Sequence, residues 1–181
     1  MSDGFLIVNK SSGPTSHDVV AQARKKLQTK KIGHAGTLDP MATGVLVLGV
    51  GIGTRLLNLI VEAKKSYEAT ISLGSSTTTD DKDGELLKKY STAEIDESAI
   101  KSALSNFKGK IMQRPSSVSA IKIAGKAAHQ RVREGETVEI PPREVEIYKL
   151  EVKEIRKFED FIEVDVEVQC SSGTYIRSIA R

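Results

Sequence analysis

Residues 33–44 read Gly33-His34-Ala35-Gly36-Thr37-Leu38-Asp39-Pro40-Met41-Ala42-Thr43-Gly44, placing one imidazole and one carboxylate among three glycines and a proline. Irregular backbone between a helix-like pattern and the apolar run Val45-Leu46-Val47-Leu48 is where proteins place reactive groups. Asp39 precedes a proline, which biases it towards extended geometry and holds its carboxylate on stiff backbone. An aspartate in an Asp-Pro turn commonly bonds only its own backbone, and the loop alone favours that simpler reading. His17, His34 and Asp39 lack metal-ligand spacing, and Cys170 has no second cysteine to complete a thiolate site.

The elements that must hold this loop follow from periodicity. Phe5 to Val8 reads as a first strand, and Ser16 as the N-cap of a helix carrying Val19, Val20, Ala23 and Leu27 on one face. Val45 to Val50 reads as a buried strand, with a glycine-rich passage at 49–54 into a helix from Arg55 to Ala63. Those glycines do not make a nucleotide cradle, because their spacing misses the dinucleotide fingerprint and no Gly-Lys-Ser/Thr ending follows. Ser66 to Leu73 alternates, with Tyr67 on the apolar side, a position that suits ordinary core packing. Residues 74–84 read as loop, and Asp96 as the cap of a helix bearing Ile100, Leu104 and Phe107 up to Gly109. A strand over Ser117 to Ile123, a short basic helix over Lys126 to Arg133, and long strands over Val145–Ile155 and Phe161–Cys170 complete the pattern before a helix opens at Tyr175. The alternation of Ile162, Val164, Val166 and Val168 with Glu163, Asp165 and Glu167 predicts antiparallel pairing with one solvated face. The class is therefore α/β (α+β), with a mixed, largely antiparallel sheet flanked by helices.

A chain of 181 residues, 39% hydrophobic and 28% charged, suits one globular domain with or without an appended lobe. One cysteine and no charged-then-apolar leader point to the cytoplasm, and no apolar run is long enough to span a bilayer. The net charge of +3 is mild, but its distribution is not. Arg24, Lys25, Lys26, Lys30 and Lys31 crowd before the central loop, and Lys122, Lys126, Arg131, Arg133 and Arg143 form a second basic region. Asp80, Asp81, Asp83 and Glu85 gather elsewhere, which implies a basic face suited to phosphates, although any single lysine is more simply a solvated helix residue.

Several ordered segments together resemble the TruB-type tRNA pseudouridine-55 synthases. They are Asn9-Lys10-Ser11-Ser12-Gly13-Pro14-Thr15-Ser16, Gly33 to Pro40 with Ala42-Thr43-Gly44, Lys65-Ser66-Tyr67-Glu68-Ala69, Pro115 to Lys122, and Ser172-Gly173-Thr174-Tyr175-Ile176-Arg177. The likeness covers nearly the whole chain. It implies a pseudouridine synthase fold and isomerisation of the T-loop uridine of tRNA by base flipping, in a monomer that needs no metal, nucleotide or redox cofactor. It implies Asp39 as nucleophile or base, kept ionised by Arg177, and Tyr67 as the ring packed on the flipped uracil. His34 matches a residue set against the T-loop, Tyr175 a pocket-lining residue, and Lys10 and Lys65 basic motif positions in contact with the substrate RNA. The segment from about 115 to 143 matches an inserted lobe that grips the RNA hairpin, with Val118 and His129 where many relatives carry tyrosines. Relatives continue beyond the residue matching Arg181 with further pocket residues and often a small RNA-binding domain, so the resemblance implies a catalytic domain without that remainder. A catalytically silent RNA-binding module is the alternative from a different class.

Overall fold

Every strand pairing among the described residues is antiparallel, as alternating apolar and polar residues require when one sheet face meets a core. A computed structural model describes residues 3–119, 121–123 and 125–181, without the side chains of Lys122, Ala127 and His129, so what was expected of Lys122 and His129 lies outside the described side chains. The chain divides into two compact units, one ending at Ala63 and one running from Lys64 to Arg181.

The first unit is a three-stranded sheet in the order β1 (Gly4–Lys10), β3 (Gly44–Val50), β2 (Ile32–His34), covered by helix α1 (Ser16–Lys26). Val20 and Ala23 of α1 pack with Ile32, Leu46, Leu48 and Val50, giving the unit its own core. Thr15, not Ser16, caps α1: it forms a reciprocal capping box with Asp18, which frees Ser16 for a different task. The helix expected from Arg55 begins as a 3-10 turn over Gly51–Leu56 and becomes α2 only at Leu57–Val61. The glycines at 49–54 are packing devices. A Cβ on Gly53 would enter the carbonyl oxygen of Gly4, and one on Gly49 would lie 2.8 Å from the carbonyl oxygen of Gly53.

The second unit is built on a four-stranded sheet in the order β4 (Lys65–Leu73), β11 (Ile162–Cys170), β10 (Arg143–Lys157), β7 (Gly109–Gln113). Its core combines Ile71, Ile147, Leu150, Ile162, Val164, Val166 and Val168 with Ile100 and Leu104 from α3 (Glu97–Ser105), which Asp96 caps as expected. The loop expected at 74–84 contains β5 (Ser75–Thr77), paired with β6 (Leu86–Lys89). Among the described residues of the strand expected over 117–123, only Lys122–Ile123 (β8) are in a strand, in a hairpin with β9 (Lys126–Ala127), and α4 starts late, at Ala128–Arg133. A final helix, α5, spans Arg177–Ala180. The polar sheet face is not simply solvated. Arg156 bridges Glu154, Glu163 and Asp165, while Lys149 and Lys153 share Glu151 and Glu167.

Two measurements check this architecture. The bonds from Arg156 and Thr70 hold Asp165 at about 2, and those from Lys153 and Lys149 hold Glu167 at about 2, both below ordinary carboxylate values. Because these folded-state values are depressed, the stabilisation is complete above the unfolded carboxylate range and is lost as pH falls through it towards 2. The thermal midpoint should therefore drop between about pH 4.5 and 2, with a shallower drop for Glu167→Gln. Gly53→Ala should cost on the order of 1–3 kcal/mol in urea unfolding, because backbone must move to admit the methyl.

Candidate active site

In the first unit the loop between β2 and β3 is fixed from beneath by two side chains. Lys10, at the end of β1, is 1% exposed and directs its ammonium to the carbonyl oxygens of Ser11 (2.9 Å), Pro40 (3.0 Å) and Ala42 (2.7 Å). Three donors thus meet three backbone acceptors, an arrangement that suits a compact ammonium. Burial pushes the Lys10 pKa down from the ordinary lysine value, and the nearby negative charge of Asp39 opposes that shift. Ser16, fully buried at the start of α1, uses its hydroxyl twice: it accepts from the Leu38 N–H at 2.9 Å and donates to the Leu38 carbonyl at 3.2 Å. Gly13 N–H adds a bond to the Pro40 carbonyl at 2.9 Å.

Asp39 therefore lies between two anchored neighbours. Its own carbonyl accepts from the Ala42 N–H at 3.0 Å, closing a turn with Pro40 at the second position, where its fixed φ belongs. The turn reading of Asp-Pro and the reactive-group reading are compatible, since the turn is what holds the residue. Gly36 and Gly44 take φ values of +108° and +116° at the two ends of the loop, which side-chain-bearing residues resist.

His34, the last residue of β2, is half-buried, and its Nδ1 donates to the Gly36 carbonyl at 2.7 Å. A carbonyl can only accept, so this bond assigns the proton to Nδ1 and leaves Nε2 as an acceptor. Burial lowers the His34 pKa; the Gly36 bond partly opposes this, and the charge of His17 adds to the lowering. The His17 ring meets His34 edge-on, with centroids 5.3 Å apart at 81°.

The other expected residues belong to the second unit. Tyr67 lies on the apolar side of β4, partly buried against the core. Lys65, at the start of β4, pairs in register with Cys170 of β11. Burial lowers the Lys65 pKa, with Cys170 opposing, and burial raises that of the Cys170 thiol. The Tyr175 backbone is clipped by the buried Gln113 amide, which donates to its carbonyl (3.0 Å) and accepts from its N–H (2.8 Å). The Arg143 guanidinium lies 5.2 Å from the Tyr175 ring centroid and donates to the Gly173 carbonyl at 2.8 Å.

Arg177 is not an ordinary surface arginine. Its side chain is 13% exposed, and it donates to the carbonyls of Thr79 (2.8 Å) and Val118 (3.0 Å) and to Asp81 Oδ2 at 3.1 Å, a carboxylate only 10% exposed. Asp81 Oδ1 in turn accepts from the Thr79 hydroxyl at 2.5 Å and the Asp83 N–H at 3.1 Å. Asp81 and Thr79 are functional candidates that sequence reasoning missed, having grouped Asp81 only with the acidic residues Asp80, Asp83 and Glu85. Thr77, Thr79 and Asp81 recur at every second position, and that spacing was the available signal. Lys10, expected among the RNA contacts, directs its ammonium to the backbone carbonyls around the Asp39 loop.

The TruB family pseudouridylate synthase (N terminal domain) model matches residues 24–176. The chain is 60% identical to tRNA pseudouridine synthase B of Corynebacterium diphtheriae over 98% of its own length and 60% of that protein's. It is 52% identical to the tRNA pseudouridine synthase B of Thermobifida fusca, over 100% of this chain and 63% of that one. The chain thus spans about three fifths of the length of the curated relatives it matches. Among solved structures it resembles a Cbf5-Nop10-Gar1 complex chain, with TM-score 0.67 and 29% identity over 98% of this chain and 42% of that one. It also resembles a chain of an H/ACA RNP bound to a substrate RNA containing 2'-deoxyuridine, with TM-score 0.65 and 28% identity over 98% of this chain and 40% of that one.

Replacing Lys10 tests whether the buried ammonium organises the loop. Lys10→Met should lower stability by about 2 kcal/mol, the scale of hydrogen bonds to a charged group. It should also speed hydrogen exchange at the Ala42 amide, and an unchanged exchange rate there would show that the loop holds its shape without Lys10.

Proposed function

Since the chain belongs to the TruB family of pseudouridylate synthases, we propose that it is the catalytic part of an enzyme that isomerises a uridine of tRNA to pseudouridine. The bond from C1′ to N1 breaks, a bond from C1′ to C5 forms, C5 loses a proton and N1 gains one. Atoms balance without an oxidant or a second substrate. The proposed target is uridine 55 of the T-loop, in a T-arm stem-loop, and the names of the relatives, tRNA pseudouridine synthase B, support the choice of RNA. The observation that carries the reading is the loop of Asp39, whose backbone is held on both sides by Ser16 and Lys10. A nucleophile or base gains most from such fixation, because misplacement by about 1 Å can cost roughly 100-fold in rate.

In this reading Asp39 is the nucleophile or base, and Arg177 supplies the permanent positive charge that keeps a desolvated carboxylate ionised. Tyr67 stacks on the flipped uracil and takes the C5 proton late in the reaction. His34 fills the place the base leaves in the RNA loop, and its neutral ring, fixed by Gly36, is suited to stacking. Tyr175 lines the pocket, Lys65 serves the RNA, and residues 115–143 grip the hairpin. Asp81, through its ion pair with Arg177, is a positioning residue.

Asp39→Asn in the full-length protein should lower pseudouridine formation on a T-arm hairpin by on the order of 10⁴-fold or more, with hairpin affinity nearly unchanged. Carbodiimide labelling with primer extension reads the product. Retained product formation in the Asp39→Asn variant would sink the catalytic assignment, and a wild-type protein that binds the hairpin without making pseudouridine would favour the binding-only alternative.

A further inference from the structure

The net positive charge of this chain belongs to its first unit. Residues 1–63 contain seven Lys/Arg against four Asp/Glu, whereas residues 64–181 contain twenty of each. In the second unit charges largely satisfy one another, in the Arg156 and Lys149–Lys153 networks and the Arg177–Asp81 pair. In the first unit the acids have other work: Asp3 accepts from the Ile52 N–H and Asp18 closes the cap of α1. Arg24 is also occupied, since its Nη2 donates to the Ile32 carbonyl at 2.7 Å. Lys25, Lys26, Lys30 and Lys31 remain, four exposed side chains within seven residues, and none forms an ion pair among the described residues.

The helix dipole explains only part of this cluster. Lys25 and Lys26 lie in the last turn of α1, where cations are favoured, but Lys30 and Lys31 lie beyond the helix. Gln28 takes a φ of +50° and turns the chain, after which the Lys30 carbonyl accepts from the Ile32 N–H at 3.1 Å and the Lys31 carbonyl from the Gly51 N–H at 2.9 Å. The backbone under the charges is therefore fixed. Lys31 is three residues from His34, roughly 10 Å along extended chain.

We propose that Lys25, Lys26, Lys30 and Lys31 form a phosphate-binding ridge that carries the sugar-phosphate backbone of the substrate RNA up to the His34 loop, an inference that rests on reading the chain as an RNA-modifying enzyme. Ammonium groups are point charges without a directional fork, so the ridge holds backbone and reads no bases. It adds sequence-independent affinity and strong salt dependence.

The test compares wild-type full-length protein with K25Q/K26Q/K30Q/K31Q and with the corresponding quadruple arginine variant. Binding of unmodified tRNA and of an isolated T-arm hairpin is measured from 50 to 300 mM potassium chloride. The glutamine variant should bind tRNA about ten-fold or more weakly at low salt, with the slope of log affinity against log salt reduced by about 3, and the arginine variant should restore both. An effect on tRNA and hairpin alike assigns the ridge to the T-arm; an effect on tRNA alone assigns it to the rest of the molecule. Unchanged slopes on both RNAs, with a native thermal melt, overturn the proposal. So does loss of binding to phosphatidylserine vesicles with RNA binding intact, which would turn the ridge towards a membrane. A wild-type protein that makes no pseudouridine refutes the enzymatic reading whatever the slopes, whereas product formation with unchanged slopes refutes the ridge alone.

Discussion

A buried ammonium must have its donors filled, and Lys10 meets that demand with three backbone carbonyls, two of them from the Asp39 loop. The dependence runs both ways. The loop carbonyls gain a cation that keeps them in place, and the lysine gains the acceptors without which it could not stay charged in the interior. Ser16 does the same on the other side of Asp39 with a neutral hydroxyl that engages both polar groups of Leu38. Substituting Thr15 for Ser16 as helix cap is what makes this possible, because a capping serine would have spent its oxygen on the helix.

The second unit applies a similar economy to arginine. Arg177 donates to two carbonyls and a carboxylate, and the carboxylate is itself braced by a threonine hydroxyl and a backbone amide. A chain of donors and acceptors in which each member fixes the next restricts rotation more than any single bond in it. Such groups are ordered before any substrate arrives, which is the property a catalytic constellation needs.

Strands with a clean two-residue period were legible in the sequence: Ile162 to Val168 and Ser66 to Leu73 lie where alternation places them, and Asp96 caps its helix. Elements whose cause is tertiary were not. The short β2 and the β5–β6 pair exist through their partners, and a run such as Ser75-Ser76-Thr77 carries no strand signal of its own. Of the site, the Asp39 loop was visible because glycine and proline mark backbone geometry locally. The pairing of Arg177 with Asp81 joins residues 96 positions apart, and no local rule connects them. The burial of Lys10 was not legible because lysine is normally a surface residue, and its burial depends on carbonyls delivered by a loop thirty residues away.

The bonds that fix Leu38, Pro40 and Ala42 come from Lys10, Gly13 and Ser16, all earlier in the chain than the residues they hold. During synthesis the support is therefore made before the loop, and the loop can settle once β3 has emerged to close the small sheet with β1. The geometry of Asp39 is written within the first sixty-three residues, so the order of translation is also the order in which this part of the protein can be built.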